Sequence, residues 1–251
     1  MGKVIVVASG KGGTGKTTSV GAISSCLAAL GQKTLCMDCD AGLRNLDIII
    51  GMTDYAVTDF SDVLSGFIGL DEAITEHPKI SGLCFLPAPA FDGPDEIDPK
   101  AMSALMEQIR ERFDYCLIDS PAGIGPGFRL AAQNADMAII VTTGDISSMR
   151  DGQRVFGELR NMGVEEIRLI VNRVNPKSFR RIETTVDDII DTIGAKLLGI
   201  VEEDEAVFFS SNRETPLILF ENKKAALQFL HIAQRITGAR IPLGSRWRPA
   251  R

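Results

Sequence analysis

The chain has 251 residues, of which 45% are apolar and 24% charged, enough for a substantial buried core and incompatible with extended disorder. With 27 Lys and Arg against 33 Asp and Glu it is net acidic, which argues against a generally basic nucleic-acid coat. Seven of the cations fall between Lys223 and Arg251, where there is no acid; removing those seven from the net charge of -6 leaves -13 on residues 1–222.

In chain order, residues 4–8 form a short β-branched run that reads as a strand buried on both faces, followed directly by glycines and lysines. From Thr17 the apolar residues take helical spacing, with Val20, Ile23, Leu27 and Leu30 on one face and Gly31 placed to end the helix. Further apolar segments at 34–37, 83–86, 115–118, 137–141, 167–171 and 196–201 alternate with helical stretches. Asp98-Pro99 reads as an N-cap with proline at the first helical position, residues 147–162 as a helix stopped by Gly163, and residues 223–237 as a docked helix burying Ala226, Phe229, Leu230, Ala233 and Ile236.

This alternation predicts a single α/β domain over residues 1–243, a doubly wound, mostly parallel sheet with helices on both faces, and a short basic tail over 244–251. No apolar run approaches the about 18 residues needed to span a bilayer, and the N-terminal run is too short for a signal-peptide core. Five scattered cysteines, an odd number, predict reduced thiols in a cytosol. Cys36-x-x-Cys39 straddles a strand end, so its side chains should go to opposite faces, as buried structural thiols rather than a redox or iron–sulfur pair. His77 and His231 have no partners at zinc spacing.

Gly10-x-x-x-x-Gly15-Lys16-Thr17 satisfies the P-loop pattern in the required setting, between a predicted strand and a predicted helix. Glycines let the backbone N–H groups curl toward phosphate oxygens without interference from a Cβ. Lys16 then reaches the β- and γ-phosphates of a nucleotide, Thr17 offers its hydroxyl to Mg²⁺, and the helix N-terminus faces the anion. Asp119, closing an apolar strand, fits the carboxylate that holds the metal through water. Asp38 and Asp40 close a second strand; one would support the metal shell while the other orients the attacking water.

Beyond the generic loop, Lys11-Gly-Gly-Thr-Gly-Lys-Thr-Thr18 resembles the deviant Walker A motif, with its second lysine at Lys11. Asp38-x-Asp40-x-Gly-Leu-Arg-Asn-Leu-Asp47, Ile118-Asp-Ser-Pro-Ala-Gly-Ile124 and Val141-Thr-Thr with Arg150-Asp151 resemble the MinD branch of the MinD/ParA ATPases. The resemblance runs from residue 3 to about 243. It implies a P-loop NTPase fold and an ATP- and Mg²⁺-dependent homodimer. Two subunits would sandwich two nucleotides, with Lys11 of each crossing to the phosphates of the other.

In that reading Lys11, Lys16 and Asp40 are catalytic. Gly10, Lys11, Gly12, Gly13, Thr14, Gly15, Lys16, Thr17, Thr18, Asn172 and Arg173 bind the nucleotide, Asn172 recognising adenine, and Thr17, Asp38 and Asp119 serve the metal. The role implied is a spatial switch for the cell-division site, with a division inhibitor and an ATPase activator as partners, in the cytoplasm or peripheral on the membrane. A ParA- or flagellar-number-type positioning protein is the alternative within the family, with DNA binding disfavoured by the acidic residues 1–222; a P-loop transferase or ligase is the alternative outside it.

Three places depart from the family pattern: Gly125 stands where a Glu is usual, Val201-Glu-Glu-Asp204 replaces Ile-Pro-Glu-Asp, and residues 244–251 replace a membrane-inserting amphipathic helix. Three arginines and one Trp in that tail are expected to bind anionic lipid weakly at most.

Overall fold

A computed structural model describes residues 1–40, 44–55, 57–89, 97–220 and 224–243. The tail over 244–251 and the first two residues of the Gly42–Asp47 motif lie outside these residues.

Among the described residues eight strands form one sheet: β1 (Lys3–Ala8), β2 (Thr34–Asp38), β3 (Thr75–Glu76), β4 (Leu83–Leu86), β5 (Tyr115–Asp119), β6 (Met137–Thr142), β7 (Glu166–Val174) and β8 (Lys196–Glu202). Their order is β3-β4-β2-β5-β1-β6-β7-β8. Every pairing is parallel except β3 with β4. The doubly wound sheet expected from the apolar runs is therefore present, with one addition. The two-residue β3 is too short to leave an alternating signature, and it borders the sheet as an antiparallel edge.

Alternate residues of the central strand feed the two cores. Val4, Val6 and Ala8 join the face covered by the helices α5 (Pro99–Arg112), α6 (Pro126–Ala132), α7 (Ile146–Asn161) and α9 (Val186–Ile193). Ile5 and Val7 join the opposite face, under α1 (Lys16–Ala29) and α11 (Lys224–Ile236). Strands buried on both sides have to be apolar at every position, which is why they read as continuous runs.

Helix α1 packs on the sheet, on α11 and on the short α2 (Leu46–Ile50). It is therefore buried nearly all round and made of small and apolar residues rather than a single stripe. Asp98 caps α5 through the Lys100 N–H, with Pro99 at the first turn, as the dipeptide predicts. Ala226, Phe229 and Ala233 of α11 are buried, while Leu230 and Ile236 pack at the core margin, so this helix is docked. The remaining short helices, α3 (Phe60–Leu64), α4 (Leu70–Ala73), α8 (Pro176–Arg181) and α10 (Glu205–Asn212), carry too few turns for periodicity to single them out.

All five cysteines are free. Cys36 lies in the core under α1 and Cys39 in the core on the other face, the split expected of a strand-end pair. Burial pushes the Cys26 and Cys36 thiols up to about 12 and Cys84 to about 11, which keeps them protonated and unreactive.

Candidate nucleotide site

In the sheet order, β1 sits between β5 and β6, and its carboxyl end opens the crevice where ligands of open α/β sheets bind. The chain leaves β1 through Ser9, whose hydroxyl donates to the Lys11 carbonyl at 3.0 Å, then turns through Gly13 and Gly15 at φ +80° and +89° and enters α1 at Lys16. Both glycines adopt the left-handed backbone that a side chain disfavours. Gly10 is needed for a different reason, since a Cβ there would collide with the backbone of Asp151 near the start of α7.

A cleft of about 890 Å³ opens over this loop. Gly12, Gly13, Thr14, Gly15, Lys16, Thr17 and Thr18 line it, together with Asp40, Asn172 and Arg173. The loop and the β7 end are thus brought together as the sequence predicts.

The base of the cleft is ionic. Lys16 Nζ donates to Asp119 Oδ1 at 2.8 Å, and both side chains are buried. Asp119 is register partner to Val7 on one side and to Asp38 on the other, so two carboxylates stand on adjacent strands. Burial, reinforced by the Asp119 charge, pushes Asp38 up to about 7. Burial also raises Asp119, against the pull of the Lys16 charge and of hydrogen bonds from Lys16 and Thr17. Two mutually repelling buried carboxylates beside a threonine hydroxyl are a donor set suited to a hard divalent cation. Among the described residues no three acidic, His or Cys side chains are grouped to hold a metal, so phosphate and water would have to complete the shell of a Mg²⁺ held there.

Asp38 and Asp40, two residues apart at the end of β2, take different positions. Asp38 is buried and accepts the Asp40 backbone N–H on Oδ1 at 2.8 Å, whereas Asp40 lines the cleft. Asp38 thereby holds Asp40 in place. At the other wall, β7 shifts register between Val171 and Val174, and Arg173 takes φ +53°. This irregularity turns Asn172 inward, where its Nδ2 donates to the Thr14 carbonyl at 2.8 Å, and lets Arg173 Nη1 reach the Gly13 carbonyl at 3.3 Å. Asn172 therefore braces the phosphate loop, a contact that strand-end position alone does not announce.

Lys11 does not join this group. Its side chain is about half exposed (49%) and turns toward the start of α7, donating to Ser147 Oγ at 2.9 Å and pairing with Asp145 Oδ1 at 3.5 Å. Asp145 also caps α7 through the Ser148 N–H. Despite partial burial, the Thr143 and Ser147 hydroxyls, the Ser148 N–H and the Lys11 charge hold the Asp145 carboxyl well below the usual carboxylate range. Asp145 and Ser147 are absent from the sequence expectations because an acid before an amphipathic stretch signals a helix cap and nothing more. Gly125 caps α6 with Pro126 and Gly127 following, so the position where the family usually has Glu presents no side chain.

The family model described as the CobQ/CobB/MinD/ParA nucleotide binding domain matches residues 5–217. The septum site-determining protein MinD of Synechocystis sp. is 40% identical over 244 residues, covering 96% of this chain and 92% of that protein. The MinD chain family is also matched in structure: a MinC:MinD cell division protein complex from Aquifex aeolicus gives a TM-score of 0.89 at 38% identity, covering 96% of this chain and 98% of the other. Septum site-determining MinD complexed with Mg-ADP from Pyrococcus horikoshii gives 0.83 at 28% identity, covering 94% and 96%. Matched by the family model and by relatives over nearly its whole length, the chain belongs to the MinD/ParA family of P-loop ATPases.

Proposed function

We propose that the chain is an ATP-hydrolysing dimerisation switch of the MinD type that acts in placing the cell-division site. The observation that carries this reading is the division of labour between two lysines of one loop. Lys16 turns inward onto Asp119, whereas Lys11 turns outward to the start of α7 and is half exposed. A lysine in the phosphate loop that does not serve its own cleft is available to the phosphates of a second subunit, so dimer stability becomes conditional on bound ATP.

In this reading the chain's groups have distinct tasks. The loop N–H groups and the start of α1 receive the phosphates, and Lys16 moves from Asp119 to the β- and γ-phosphates. Thr17, Asp38 and Asp119 would hold Mg²⁺, which would neutralise phosphate charge. Asp40, fixed by Asp38, orients the water that attacks the γ-phosphate. Residues 1–243 act as one ATPase unit. No helix among the described residues is long and apolar enough to cross a membrane.

The relative solved with MinC supports a division inhibitor as partner. The direct test is capture of a MinC-type protein by this chain with Mg-ATP, with Mg-ADP and without nucleotide. Capture with ATP alone supports the switch, and equal capture in all three arms refutes it. Phosphate release with Mg-ATP, abolished by Lys16→Ala, tests the enzymatic half. A transferase would instead need a second substrate before phosphate left ATP.

A further inference from the structure

A second cavity, of about 330 Å³, opens at the amino-terminal ends of β7 and β8, on the rim of the sheet opposite the nucleotide cleft. Glu166, which begins β7, is separated from Asn172 at the nucleotide rim by about 20 Å of extended chain. Three cations line the cavity: Arg168 of β7, Lys196 of β8 and Arg160 in the last turn of α7. Arg168 and Lys196 are register partners on neighbouring strands, so two like charges stand side by side. Such neighbours repel, and an anion seated between them removes that cost. An arginine closing a helix is ordinary by itself. Its convergence with two strand cations on one cavity is not.

The acids of the cavity do not neutralise this group. Glu166 is already committed: Oε2 accepts Lys3 Nζ at 2.7 Å, while Oε1 accepts Arg168 Nη2 at 2.9 Å and Nε at 3.1 Å. The second contact fixes the Arg168 guanidinium without using its Nη1. Among the described residues, Arg160, Lys196 and the exposed Glu165 make no ion pair or side-chain hydrogen bond. Lys3, Arg160, Arg168 and Lys196 set against Glu165 and Glu166 leave two positive charges over, in a chain that is net acidic. Phe156, half-buried, and Ile167 supply an apolar wall. We infer that this cavity binds a small organic dianion, with Arg160, Arg168 and Lys196 as its charge contacts and Phe156 against its apolar part. The surplus charge matches a dianion, and the volume admits a small molecule. A guanidinium held in one orientation suits the paired oxygens of a carboxylate or phosphate. Glu165 at the rim counts against a nucleic-acid backbone passing over the cavity.

The test titrates the full chain with two aromatic dianions, phenyl phosphate and phthalate, by calorimetry at low salt. Mg-ADP is present throughout, so that the nucleotide cleft does not compete for the probes. Arg160→Gln and Lys196→Gln should each weaken binding about tenfold, whereas Lys100→Gln, an exposed lysine of α5 outside the cavity, should stay within about twofold. Without any probe, Lys196→Gln should unfold at the same temperature as the parent or higher, because its repulsion with Arg168 is gone. A preference for one probe supports the inference and identifies the oxyanion; equal binding supports it as a general dianion site. The inference is overturned if neither probe binds saturably below roughly 10 mM. It is equally overturned if the Arg160 and Lys196 variants keep the parental affinity, or if Lys100→Gln loses as much as they do.

Discussion

Lys16 Nζ stands 2.8 Å from Asp119 Oδ1 with both side chains buried, so the phosphate lysine has an internal counter-ion before any ligand arrives. Removing one partner of such a pair leaves the other charge uncompensated. Lys16→Ala should therefore lower the stability of the nucleotide-free protein by about 3 kcal/mol, and Lys16→Ala with Asp119→Ala should recover part of that loss. Urea unfolding of the single and double variants measures the coupling; additive losses would show that the pair contributes nothing in the folded state.

The lysine on the outer side of the loop should behave differently. Lys11 is half exposed and its ion pair with Asp145 is long, so Lys11→Ala should leave stability within about 0.5 kcal/mol. Asp145→Ala additionally removes the cap of α7 and should cost about 1 kcal/mol. Thermal unfolding separates the two. A large loss for Lys11→Ala would mean that its contact with α7 is structural rather than a resting position.

Asp40→Ala should slow phosphate release from Mg-ATP by about 100-fold while nucleotide affinity is kept, because Asp40 lines the cleft without bonding to the phosphate loop. Rapid turnover in this variant would transfer the water-orienting role to another group.

Stability should also fall with mild acid through His77. Its Nε2 meets the Ile50 carbonyl at 2.8 Å, while Nδ1 accepts the N–H groups of Lys79 and Ile80 at 3.0 Å each, an arrangement that requires the neutral ring. Burial first, then the Lys79 charge, holds its pKa below the ordinary value. A lowered folded pKa means that the unfolded chain takes up the proton first. Stability is then full above the unfolded pKa near about 6.5 and declines as pH falls from there toward the folded value. His77→Gln should flatten that slope in urea titrations between about pH 7 and 5. An unchanged slope would assign the acid sensitivity elsewhere.

The sheet and the phosphate loop were legible because their physics is local. A doubly buried strand must be apolar at each position, as at 4–8 and 137–141, and a phosphate cradle needs glycines where a Cβ cannot fit. What escaped depends on distant partners. Nothing near Asn172 in sequence reveals that a register shift in β7 sends its amide to Thr14, 158 residues away. Nothing near Asp145 in sequence announces its pairing with Lys11, 134 residues away. The paired acids at 38 and 40 were visible, yet their separation into a buried brace and a cleft-lining group follows from the backbone turn that lets Asp38 accept the Asp40 N–H.

Whether Lys11 makes association conditional on ATP is decided by sedimentation velocity of Asp40→Ala with Mg-ATP, with Mg-ADP and without nucleotide, alongside the same protein carrying Lys11→Ala. Asp40→Ala should be a dimer with Mg-ATP alone and a monomer whenever Lys11 is absent. A monomer under all conditions, or a dimer that persists without Lys11, would contradict it.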